Sequence, residues 1–183
     1  MAASVQDKLA QAQACRAEGN ALFSSGRQDE AMFKWHEVLM YVRGLDKSTA
    51  SAFGVSQGGT RGASGLTAEH STLAKELTVV AHVNLAAGLL RKEKYERAAE
   101  ACSAALELEP DHQKALFRRA KALLALRNSD AAAADLDRVE ALDSGNADAR
   151  ALRRDLACLR NEEKRSASAV YAKMFANKAK IEG

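Results

Sequence analysis

Apolar residues recur three and four positions apart through most of this chain, and the places where the recurrence breaks mark helix ends. The breaks "SSGRQ", "RKEK" and "LRNSD" each separate two amphipathic stretches, so three segments read as helix pairs. The pairs are copies of one another. Shifted by 34, Ala86 falls on Ala120, Leu89 on Leu123, Ala98 on Ala132, Cys102 on Leu136 and Ala105 on Val139. Gly19, Leu22, Ala31, Trp35 and Val38 take the matching places in the first copy. Such a period predicts stacked helix pairs, each burying an apolar face against the next. The expected fold is all-α, one domain over 1–183 with repeats at about 12–45, 79–112 and 113–146.

Two segments fall outside the repeats. Between the first and second copies, "DKSTASAFGVSQGGTRGASG" carries five glycines among many Ser and Thr, which predicts a flexible insertion at about 46–66. Thr67 then reads as the N-cap of a long helix running through Asn84, with Glu69 in its favourable first turn. After the third copy, Leu152, Leu156 and Leu159, then Val170, Tyr171, Met174 and Phe175, keep helical spacing. They predict a seventh, longer helix at about 147–181, which closes the apolar face the last repeat would leave open.

The small residue at Ala86, the Ala at Ala98 and the Pro at Pro110 are the marks by which the middle copy resembles the tetratricopeptide repeat; the resemblance covers 12–146. In the first copy the Pro position is Arg43 and in the third it is Ser144, so those helix ends are less sharply punctuated. The resemblance implies a right-handed superhelix whose first helices line a concave groove. It also implies a site. Domains of this family that bind the C-terminus of heat-shock protein 90 or 70 carry a carboxylate clamp: a basic residue and Asn on the first helix, Asn on the third, Lys and Arg on the fifth.

This sequence has Arg16 and Asn20 in "CRAEGN", Asn84 in "HVNLAAG", and Lys114 and Arg118 in "KALFRR". Arg16 stands where the family usually has Lys; the charge is kept but the donor geometry becomes a planar fork. By resemblance, Arg16, Asn20 and Asn84 hold the terminal carboxylate of an EEVD-type tail, and Lys114 with Arg118 holds its side-chain carboxylate. Phe23, Lys75 and Lys121 are candidates for an accessory groove reading upstream residues. Taken singly these residues have plainer roles: exposed Lys and Arg are ordinarily solvated surface, and a lone Asn84 reads as a helix-to-helix hydrogen bonder.

Composition narrows the function classes. Lys and Arg number 27 against 24 Asp and Glu, well interspersed, so the +3 net charge argues for neither a nucleic-acid nor a membrane surface. Cys15, Cys102 and Cys158 are far apart and set among Ala and Leu, which predicts buried reduced thiols and a reducing, cytoplasmic setting. The opening "MAASVQDKLAQAQA" lacks a signal-type apolar core, no later stretch reads as a membrane span, and Ala2 removes N-myristoylation. His36, His70, His82 and His112 have no ligand spacing with the cysteines, and His82 takes a packing position; no metal or cofactor is expected. "GGTRGASG" lacks the Lys-Ser/Thr ending of a phosphate loop, and no nucleophile–base pair is placed, so no enzyme is expected.

The main expectation is a non-catalytic co-chaperone. A second is an interaction scaffold that takes an internal peptide in the groove, or calmodulin or another partner on the basic amphipathic "RSASAVYAKMFANKAK". "VYAKMF" resembles the segment beyond the repeats in immunophilin co-chaperones, and "VRGLDKS" is similar to the tetratricopeptide repeat protein nine family. If Met1 is native, no prolyl isomerase domain precedes the repeats and that activity does not carry over. The third expectation is a repeat fragment of an immunophilin enzyme.

Overall fold

The structure is a computed structural model that describes residues 4–43, 45 and 66–181; the glycine-rich insertion at 46–65 and the side chains of Tyr171 and Phe175 lie outside the described residues. Seven helices and no strand occur among the described residues: α1 (Val5–Ser24), α2 (Gln28–Val42), α3 (Ala68–Arg91), α4 (Tyr95–Leu108), α5 (Gln113–Ala125), α6 (Ser129–Leu142) and α7 (Ala147–Ile181). Thr67 caps α3 as its sequence position predicts, accepting from the His70 amide, and the His70 ring accepts from the Thr67 amide in return.

The three helix pairs turn in the same way. Gly26, Glu93 and Arg127 all take left-handed φ, at 84°, 56° and 58°. The residue after each donates to a leucine carbonyl five residues back, Arg27 to Leu22, Lys94 to Leu89 and Asn128 to Leu123, each at 2.9 Å. Gly26, Glu93 and Arg127 donate in turn to Phe23, Leu90 and Leu124 at 3.2, 3.2 and 3.0 Å. This is the Schellman pattern, which satisfies helix-end carbonyls. Only the first copy uses glycine; Glu93 and Arg127 hold a conformation that costs an L-residue about 1–2 kcal/mol. The repeat thus shows in the backbone where the turn residues differ.

Packing follows the stack. Leu9, Ala12 and Cys15 of α1 meet Trp35, Val38 and Val42 of α2 and Leu77, Ala81 and Leu85 of α3 in one buried cluster. A second joins Val79 and Val83 of α3 to Leu116 and Ala120 of α5, Leu136 and Val139 of α6, and Ala149, Leu152 and Leu156 of α7. Helix α3 therefore buries opposite faces in two clusters. By length and composition alone α3 is apolar enough to cross a membrane. Its apolar residues are the shared wall of the two clusters. The expectation of buried thiols fails at one position, since Cys15 and Cys102 are buried but Cys158 is exposed. It lies on the outer side of α7, away from Leu152 and Leu156.

Helix α7 is fastened through its first half. Arg153 donates to Asp137 at 2.6 Å and to Glu140 at 2.9 Å, and Arg160 to Asp130 at 2.8 Å, all on α6. Past Glu163 every described side chain is exposed, Val170 and Met174 included at 57% and 63%.

Candidate functional site

A groove of about 590 Å³ opens on the face made by the first helix of each pair. Phe23 of α1, Ala87, Leu90 and Arg91 of α3, and Gln113, Lys114, Phe117, Arg118 and Lys121 of α5 line it, with Asn146 and Asp148 at the start of α7. None of the lining comes from α2, α4 or α6. Its floor is apolar and its charges are mostly cationic, which suits an extended anionic segment with some apolar side chains.

The amide network beside it is built from the inside out. Trp35 is buried at 1% exposure, and its indole N–H, which can only donate, points at Asn20 Oδ1 at 3.2 Å. That fixes which end of the Asn20 carboxamide faces inward. Asn84 Nδ2 donates to the same oxygen at 3.0 Å, so both its orientation and the approach of α1 to α3 are set by one indole. Gly19 makes room: a Cβ there would lie 2.6 Å from Trp35 Nε1. With Asn20 Oδ1 accepting twice, the Asn20 NH₂ remains as a donor on the opposite side.

Arg118 continues the line onto α5. Its Nη1 donates to the Val83 carbonyl at 2.6 Å, next to Asn84, and burial pulls its pKa below the usual arginine value. Lys114 is one turn away on the same face, exposed, and lines the groove with Arg118. Arg119, the next residue in "KALFRR", has another job: it grips Asp135 through two bonds of 2.7 Å and reaches Ser103 at 3.1 Å. Asp135 is 4% exposed, so this is a buried structural pair.

The structure thus joins Asn20 directly to Asn84, sets Arg118 against the residue beside Asn84, and puts Lys114 in the same groove as Arg118. Arg16 is half-buried one turn before Asn20. Of the accessory candidates, Phe23 and Lys121 line the groove, whereas Lys75 is exposed, more than two turns before Asn84 on α3, and is not among the lining residues. The plainer reading of Asn84 as a helix-to-helix hydrogen bonder is met in the Asn20 contact.

Sequence reasoning missed Arg91, Asn146 and Asp148 in the groove lining. Arg91 stacks over the Phe23 ring at 4.0 Å, and Phe23 leans on Trp35 with ring centroids 5.3 Å apart. Asp148 enters only because Asn146 starts α7 beside the groove, its side chain accepting from the Ala149 amide at 2.9 Å. Repeat register alone could have found Asp148, since it stands one period after Lys114.

Comparison with known proteins gives the context. Residues 89–156 match the tetratricopeptide repeat family model. Over 182 residues the chain is 28% identical to peptidyl-prolyl cis-trans isomerase FKBP4 of Mus musculus, covering 98% of this chain and 35% of that protein. It is 27% identical over 161 residues to FKBP42 of Arabidopsis thaliana, 88% of this chain and 39% of that one. The chain therefore spans little more than a third of these relatives.

Among solved structures, the C-terminal TPR-containing domain of a Plasmodium falciparum FK506-binding protein superposes with a TM-score of 0.71 at 19% identity, over 91% of this chain and 97% of that one. The first TPR domain of Spaghetti (RPAP3), bound to the HSP90 peptide SRMEEVD, gives 0.59 at 23%, over 82% and 94%. The TPR2B domain of yeast Sti1 in its pHsp70 complex gives 0.56 at 18%, over 83% and 98%.

Proposed function

We propose that this chain, which matches the tetratricopeptide repeat model over residues 89–156 and is similar to FKBP4 and FKBP42, is a non-catalytic chaperone adaptor. In this reading it binds the acidic C-terminal tail of heat-shock protein 90 or 70. The observation that carries the reading is the Asn20–Asn84 hydrogen bond beside a groove lined by Lys114 and Arg118. Two domains of similar fold support it: that of RPAP3, bound to an HSP90 peptide, and TPR2B of yeast Sti1, in its pHsp70 complex.

The chemistry is additive. A chain ending in Asp offers two carboxylates within a few ångströms, and charge-assisted hydrogen bonds to them contribute about 1.5–3 kcal/mol each. Asn20, Asn84 and Arg16 take the terminal carboxylate, and Lys114 with Arg118 takes the side-chain carboxylate. Arg118 is prepared for this: the Val83 carbonyl holds its guanidinium in place before any ligand arrives, so little rotamer entropy is lost on binding. Lys114, exposed, supplies a mobile charge.

Charge reversal tests the reading. Lys114→Glu should abolish binding of an EEVD-ended peptide while leaving the helical circular dichroism and melting temperature of the protein unchanged, because Lys114 is exposed. Undiminished binding by that variant would overturn the clamp.

A further inference from the structure

Asp148 stands one repeat period after Lys114, so the face that presents a cation on α5 presents a carboxylate on α7. Both line the same groove, where Arg91, Arg118 and Lys121 supply the other charges. The acids of the neighbouring α6 are engaged: Asp130 by Arg160, Asp135 by Arg119, Asp137 and Glu140 by Arg153. Asp148 differs. Among the described residues it makes no ion pair with a groove cation. A first-turn acid gains a few tenths of a kcal/mol from the dipole of α7, which accounts for an acid near the helix start but not for its place in a cationic wall.

We infer that Asp148 is a specificity residue: among acidic-tailed peptides it selects those with an arginine or lysine five or six residues from the C-terminus. The inference rests on the clamp reading above. Packed helices lie about 8–10 Å apart, so the step from α3 through α5 to α7 covers about 16–20 Å. An extended chain advances about 3.3 Å per residue and crosses that span in five or six residues. A peptide whose end sits at Asn20 and Asn84 brings its acidic residues past Lys114 and Arg118 and its upstream side chain to Asp148. There an upstream acid meets a like charge, and a guanidinium finds a counter-ion that makes no ion pair among the described residues. The contact is solvent-facing, so the preference is modest and weakens with salt.

The peptide SRMEEVD, found on the RPAP3 domain, has its arginine sixth from the end and serves as the probe. Its affinity for the full chain is compared with that of SEMEEVD by titration calorimetry at low salt. The protein should favour SRMEEVD by about 2- to 5-fold, Asp148→Asn should erase most of the preference, and Asp148→Lys should reverse it. Equal affinity for both peptides, or a preference that Asp148→Lys leaves intact, overturns the inference while the clamp stands, provided Lys114→Glu abolishes binding of both. Failure of both peptides to bind the unaltered protein overturns the clamp reading and this inference with it.

Discussion

Asn20 accepts a hydrogen bond from Asn84 at 3.0 Å although 64 residues separate them, and the same oxygen accepts from the Trp35 indole. One buried tryptophan therefore aligns two amides on different helices. The site is organised by the core beneath it.

Gly19 is the residue that lets this happen. Gly19→Ala puts a methyl 2.6 Å from Trp35 Nε1 and 2.8 Å from Trp35 Cδ1, and the indole must move. Overpacking of this kind costs about 1–3 kcal/mol. Urea denaturation followed by the fluorescence of the single tryptophan should show that loss, together with an altered native emission spectrum. Unchanged stability would mean that the indole is not clamped.

Helix α7 should divide into a cap and an appendage. Leu156 is 2% exposed against α5 and α6, so Leu156→Ala should cost about 2–5 kcal/mol. Met174, 63% exposed, should tolerate the same change within about 0.5 kcal/mol. Thermal melts of the two variants check this, and equal losses would show that the whole helix is packed.

His82 gives stability a pH dependence. Burial, then the nearby His36, pulls its pKa down from 6.5 to about 4. Below pH 6.5 the unfolded chain takes up a proton at this position that the folded chain refuses until about pH 4. The His82 contribution is full above pH 6.5 and is lost as pH falls to 4, by up to about 3 kcal/mol. Urea midpoints measured across that window should decline, and the decline should be shallower in His82→Leu. Equal slopes in the two proteins would contradict it.

Much of this was legible in the sequence, and the reasons are physical. The period of 34, the three helix breaks and the Thr67 cap are local signals, carried by residues close together in the chain. Asn20, Asn84, Lys114 and Arg118 came from the resemblance to clamp-bearing repeat domains, and the Asn20–Asn84 contact and the shared groove of Lys114 and Arg118 follow from the stacking of first helices. What register could not give was partnership: Arg118 and Arg119 are adjacent and alike, yet one faces the Val83 carbonyl and the other Asp135. Lys75 is a cation on α3, but it lies more than two turns before Asn84 and is not among the groove-lining residues.

Burial of α7 was likewise beyond reach at single-residue level. Cys158 sits among leucines in sequence, but only one stripe of the helix meets α5 and α6, and position 158 lies off it. His112 is an N-cap, its ring accepting from the Ala115 amide at 3.2 Å, a role histidine composition does not announce. Helix α3 is apolar on two sides because two clusters share it, a demand that comes from the stack and not from the helix itself.

The central claim is that the groove reads the end of a chain. Titration of the protein with SRMEEVD bearing a free or an amidated C-terminus tests it most directly. Amidation removes the terminal charge that Asn20, Asn84 and Arg16 would hold, and the loss of even one charge-assisted hydrogen bond weakens binding by about tenfold or more. The free peptide should bind and the amide should bind at least tenfold more weakly; equal affinity for the two would contradict the clamp.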